Sequence, residues 1–204
     1  MEVCSFGILC HMSMVFKRTK LKKCSYPFDW IFSSLETIGH CIEDDFKIFL
    51  DKSYYKDISP YECGHTFYND KLKIDNVNMF NHRNPLKNEN DYQYYIRCIN
   101  RFRLLLQSDK QKLFSMIFIR NTDTIFNIKS LNEILKKHTT NFKLLIIFHS
   151  VSGKRNHTFT TDDNIDFLDL HTISSSSGVQ FDNNEDNEYL DSIILKRYNL
   201  LNSL

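Results

Sequence analysis

The strongest constraint on the fold is an alternation of patterns along the middle of the chain. Residues 91–107 place Tyr92, Tyr95, Ile96, Ile99, Phe102, Leu105 and Leu106 on one stripe at helical spacing. Residues 113–119 then form a short apolar run, 130–137 a second helix, and 144–148 another short apolar run. Brief apolar runs bounded by polar residues read as buried strands. Strands alternating with amphipathic helices predict a mixed domain, α/β or α+β, with helices laid on a sheet.

The flanking segments extend this pattern. Residues 2–9 read as a buried strand entering a turn at Gly7. Residues 10–23 repeat Met12, Val15, Phe16 and Leu21 near helical spacing, with basic residues from Lys17 to Lys23 at the end where cations suit the helix dipole. Ser25-Tyr26-Pro27 stops that helix. Asp29 or Ser33-Ser34 caps the next, which carries Leu35, Ile38, Ile42 and Phe46, and a short helix holds Phe49 and Leu50. Residues 53–76 read as a loop or irregular hairpin, 77–82 as a strand, 150–164 as a polar loop, 167–173 as a last strand, 174–178 as a flexible turn and 187–199 as a terminal helix. The chain has 204 residues and shows no internal repeat, so one domain over 1–204 is expected.

Composition removes several function classes. Net charge is +1, from 26 basic and 25 acidic side chains, so neither nucleic acid nor an anionic membrane is an expected partner. No apolar stretch reaches the ~20 residues needed to cross a bilayer, and residues 1–9 lack the features of a signal peptide. Six cysteines without a dense framework read as reduced thiols in a cytoplasmic setting. Richness in Asn, Lys, Ile and Tyr suits an AT-rich genome, viral or parasitic; a viral source would make that setting the host cytoplasm. Cys63-Gly64-His65 places two ligand types together, but no Cys-x-x-Cys pair or spaced set accompanies them, so no metal is expected. Phosphate-binding glycine motifs are absent, and no cofactor is expected.

Cys10 is the residue that points to chemistry. It follows Ser5-Phe6-Gly7-Ile8-Leu9 and opens a helical pattern. A thiol attacks as its thiolate, and a helix N-terminus or a protonated imidazole lowers its pKa from about 8.5. Gly7 permits a tight turn. The N–H of Cys10, with a donor from the turn at 5–7, would then offer an oxyanion site. The rival reading is a small buried hydrophobe, the commonest use of cysteine in a core.

Ser5-Phe6-Gly7-x-x-Cys10, a basic helix end and Tyr26-Pro27-Phe28-Asp29-Trp30 together resemble a family of bacterial and large-DNA-virus proteins classed as papain-like cysteine peptidases. Asp45-Phe46 with Phe49-Leu50, Phe80-Asn81-His82, Tyr95-x-Arg97 with Arg101-Phe102, Phe118-Ile119-Arg120, and Gly178-x-x-Phe181 with Asp186-x-x-Tyr189 follow in the family's order. The family places an acidic residue after its histidine, where this chain has Arg83. The resemblance implies an α+β papain-like fold, with an N-terminal catalytic-type helix on a small, mainly antiparallel sheet and further helices around it.

It also implies a base. A cysteine nucleophile needs an imidazole in reach and a third group to orient that imidazole. His82 matches the family position; His149 is the runner-up, and His11 would point away from its neighbour Cys10. Asp29 and Asn121 are equal candidates for the orienting residue, with Asp123 behind them; Asp29 also reads as a helix cap. Arg97 and Arg101 share a helix face and would pair with the acidic residues at 43–45. Two functions fit these residues. One is a cysteine hydrolase, a peptidase, amidase or acyl transferase acting on a protein, peptide or acyl substrate. The other is a non-catalytic binding protein on the same fold, for example a viral factor engaging a host protein. A third reading is a structural module whose Cys10 is inert.

Overall fold

The computed structural model describes residues 1–69, 78–118 and 122–200, with the backbone alone for 122–126. In chain order the elements are β1 (Glu2–Ser5), α1 (His11–Arg18), α2 (Leu35–Glu43), α3 (Lys47–Leu50), β2 (Tyr55–Ser59), β3 (Glu62–His65), α4 (Thr66–Asn69), α5 (Glu89–Gln107), β4 (Lys112–Phe118), α6 (Thr122–His138), β5 (Phe142–Val151), β6 (Asn156–Asp162), β7 (Ile165–Thr172) and α7 (Asn184–Arg197). Side-chain caps at Ser34, Asn88 and Asn183 start α2, α5 and α7, each satisfying an otherwise unpaired N–H.

Five strands form the main sheet in the order β1-β4-β5-β7-β6, and β2 and β3 form a separate hairpin. The pairings β1–β4, β4–β5 and β5–β7 are parallel, and only β6–β7 is antiparallel. This corrects the expected mainly antiparallel sheet. The cause lies in how the strands are covered. The first face carries Cys4, Phe114, Met116, Leu144 and Ile146, packed against Phe28, Ile38, Ile99, Phe102 and Leu131. The second carries Val3, Leu113, Ile117, Leu145 and Ile147, packed against Met12, Val15 and Phe16 of α1 and Leu190, Ile193 and Ile194 of α7. Strands buried on both faces read as unbroken apolar runs and belong to parallel sheets joined by helices, here α6 between β4 and β5.

Two further expectations change. The polar loop expected at 150–164 contains β6, whose residues are exposed except for a half-buried Phe159. The strand expected at 77–82 is a single bridge, Phe80 with Cys63, and Val77 lies outside the described residues.

Beyond β1, the Phe6 N–H still donates to Ser115 O at 2.7 Å. The chain then turns at Gly7. A Cβ there would lie 2.6 Å from Phe28 O and 2.8 Å from Leu9 O, both backbone atoms, so only glycine fits. Ser33 Oγ donates to Gly7 O. The turn delivers Cys10 to the start of α1, at the carboxyl edge of a parallel sheet, where crevices in such folds lie.

Candidate active site

Cys10 is the N-cap of α1, and its side chain makes no capping bond. The first helical bond runs from Met14 N to Cys10 O at 3.1 Å. The N–H groups of the first turn therefore lack i−4 acceptors and carry the positive end of the helix dipole.

The opposite wall is the segment 79–84. Phe32 N donates to Met79 O at 2.9 Å, and Phe80 and Cys63 exchange backbone bonds of 2.9 and 3.1 Å. Buried Asn84 donates through Nδ2 to Ser59 O at 2.7 Å, while its own N–H donates to Asp91 Oδ2 at 3.1 Å. Hung between hairpin and α5, the segment brings His82 Nε2 to 3.6 Å from Cys10 Sγ. Asn81 Nδ2 lies 3.2 Å from the same nitrogen. Asn81 Oδ1 is buried and has no hydrogen-bond partner among the described residues.

Cys10 is 4% exposed, whereas His82 is open to solvent. Burial pushes the Cys10 thiol above its usual pKa; an Asn81 hydrogen bond opposes that rise, and the Asp29 charge adds to it. Desolvation, the largest of these effects, sets the direction of the shift. The sequence gives Asn81 no role beyond its place in Phe80-Asn81-His82, where its only signal is adjacency to His82.

Asp29 requires a correction as the residue orienting His82. It is 1% exposed, and its oxygens accept from Ser5 Oγ at 2.5 Å, Tyr26 N at 2.8 Å and Lys22 Nζ. No hydrogen bond joins it to His82. Lys22 also donates to Ser13 Oγ at 2.9 Å, so the carboxylate pins α1, the end of β1 and the Tyr26–Trp30 stretch together. Nor does Asp29 cap a helix; Ser34 does. Asn121 lies outside the described residues, and Asp123 falls in the first turn of α6.

Four other histidines are engaged elsewhere. His149 Nε2 meets Thr172 Oγ1 at 2.7 Å, and buried His11 meets Ser176 Oγ at 2.8 Å through Nδ1. Both rings contact Phe181. His40 meets Tyr68 OH at 2.9 Å. His65 Nε2 meets Ile48 O at 3.1 Å, while Cys63 Sγ donates to Gly64 O. Arg83 pairs with Asp91 at 2.8 Å and lies over the Tyr94 ring. The pairing expected of Arg97 and Arg101 with residues 43–45 is made instead by Arg103, with Asp45 at 2.7 Å, while Arg101 donates to Ser25 O at 3.4 Å. All six cysteines are free. Among the described residues, no helix is long and apolar enough to cross a membrane.

Comparison with known proteins gives one family. The family profile described as "Putative papain-like cysteine peptidase (DUF1796)" matches residues 1–152. No curated protein and no solved structure matches. With three quarters of its length matched, the chain belongs to that family.

Proposed function

We propose that this member of the papain-like cysteine peptidase family is a thiol hydrolase or acyl transferase, with Cys10 as nucleophile and His82 as general base. The approach of Cys10 Sγ to His82 Nε2 at 3.6 Å carries the reading. Burial raises the Cys10 thiol pKa, which favours proton transfer to His82 in step with attack. His82 Nε2 must then hold the lone pair. The Asn81 N–H directed at that nitrogen favours this tautomer. That lone pair cannot accept from Asn81 and from the thiol together, so the Asn81 N–H swings to the sulfur, with which it also bonds, as the thiol proton moves to Nε2.

Sγ adds to the substrate carbonyl carbon, and the carbonyl oxygen becomes an oxyanion beside the unpaired N–H groups of α1. Collapse breaks the bond to the leaving group, which receives its proton from His82. Water, or another nucleophile deprotonated by His82, then releases the acyl group. The bond class is peptide, isopeptide, amide or thioester.

The test is competitive labelling by a thiol-directed probe at neutral pH, read by mass spectrometry over all six cysteines. Cys10 is expected to label fastest, and His82→Ala to slow it by about 100-fold. Equal, slow labelling of all six would sink the proposal. A second reading, a binding protein on this fold, draws on the burial of Cys10 and its raised thiol pKa. It predicts that Cys10→Ala leaves partner capture unchanged.

A further inference from the structure

The two edges of the main sheet differ. Edge strand β1 spans four residues, and Val3, Cys4 and Ser5 in it are buried. Edge strand β6 spans seven, pairs with β7 without a bulge from Asn156 to Asp162, and contains no proline and no lysine. These are the devices by which soluble proteins blunt an open edge. Thr158, Phe159, Thr160 and Thr161 are strand-favouring residues. β6 also lies beyond the part of the chain matched by the family profile.

The register fixes which groups face outward. Asp162 and Ile165 close a two-residue hairpin, so the bonded pairs with β7 fall at Asp162, Thr160, Thr158 and Asn156. The N–H and C=O of His157, Phe159 and Thr161 then point away from the sheet. In agreement, His157 N–H donates to the Asn156 side chain at 2.9 Å.

We infer that β6 is a homodimerisation edge, pairing antiparallel with β6 of a second copy about a two-fold axis at Phe159. This register sets His157 opposite Thr161 and Phe159 opposite its own copy, so the outward-facing groups meet one another once the His157 N–H exchanges the Asn156 side chain for the partner strand. It also places the basic end, Lys154 and Arg155, against the acidic end, Asp162 and Asp163, of the other strand. A parallel arrangement would set like charges together. In its own chain Arg155 is held by Asp186 and Glu185, whereas the pairs Lys129–Asp162 and Lys136–Asp163 are surface pairs that bind weakly. The contact is isologous and closed, and it joins two five-stranded sheets into one of ten.

Sedimentation velocity across micromolar concentrations tests the pairing. The full chain is expected to show a concentration-dependent dimer. Lys154→Glu should weaken it about tenfold, and Lys154→Glu with Asp162→Lys should restore it. His157→Pro, which removes an outward N–H and spares the β7 ladder, should abolish it. Amide exchange of the unmutated chain gives an independent readout. The amides of His157, Phe159 and Thr161 should gain protection with concentration, while those of Thr158 and Thr160 should be protected throughout. A monomer at every concentration overturns the inference and leaves the edge to a strand from another protein. So does a dimer indifferent to His157→Pro.

Discussion

At Asn81 a single amide serves two reactive groups. It donates toward His82 Nε2 at 3.2 Å and opposes the burial that raises the Cys10 thiol. Asn81→Ala removes a donor that favours the thiolate, so the pKa read from the alkylation rate of Cys10 should move upward. Asn81→Asp adds a negative charge beside sulfur and should move it further. Because Asn81 Oδ1 has no partner among the described residues, the Ala variant should unfold at nearly the same urea concentration as the parent. An unchanged pH–rate midpoint in both variants removes Asn81 from the chemistry. His11, one residue beyond Cys10, carries a different proton effect. Burial depresses its pKa to about 3 from 6.5, with Arg18 and His149 contributing. The folded state therefore binds fewer protons than the unfolded state between those values. Stability is complete above about pH 6.5 and falls as the pH drops toward 3, by up to about 1.4 kcal/mol per pH unit. His11→Asn should flatten that acid limb in urea titrations; an identical slope would mean that His11 does not titrate on unfolding.

Among elements, the turn between β1 and α1 and the stretch Tyr26–Trp30 hold Cys10 in place. Asp29→Asn leaves Lys22 nearly buried without a counter-charge, an effect of about 3–5 kcal/mol. Lys22→Met should cost similarly, and the double variant should cost less than their sum. Strict additivity in urea denaturation would show that the ion pair is not the link. Gly7→Ala drives a Cβ against two backbone carbonyls; loss of stability should come with slower Cys10 labelling, since the turn aims the helix. The sequence made Pro27-Phe28-Asp29-Trp30 and Cys10 legible as a unit, and it offered Cys10 and His82 as candidate residues. It hid the role of Asp29, because a carboxylate before a helix reads as a cap, while its partner Lys22 sits in a basic run that reads as solvated. It also hid β6, since a strand with Phe159 as its one half-buried residue has no apolar alternation to detect. The hydrophobic stripe of α5 was legible because that helix buries one face.

At the scale of the whole molecule, strand direction was the least legible feature. The runs at 113–118 and 144–148 announce burial on both faces, yet which strand lies beside which is decided by contacts distant in sequence, such as Val3 beside Leu113. The consequence reaches past residue 152, where the family match ends. The second face is closed by β7 and α7, through Leu168, Leu170, Leu190, Ile193 and Ile194. A chain ending at 152 would expose Leu145 and Ile147 and turn β5 into an open apolar edge. It should be insoluble, or bind a hydrophobic dye without a cooperative urea transition. In the full chain, Ile194→Ala, at a fully buried position, should cost about 2–5 kcal/mol. Met12, Val15 and Phe16 of α1 belong to the same cluster as Ile194, so that loss should also loosen the helix that carries Cys10 and slow its labelling below the global transition. A soluble 1–152 fragment with cooperative unfolding and full Cys10 reactivity would show instead that the C-terminal quarter is dispensable, and that the first face alone holds nucleophile and base together.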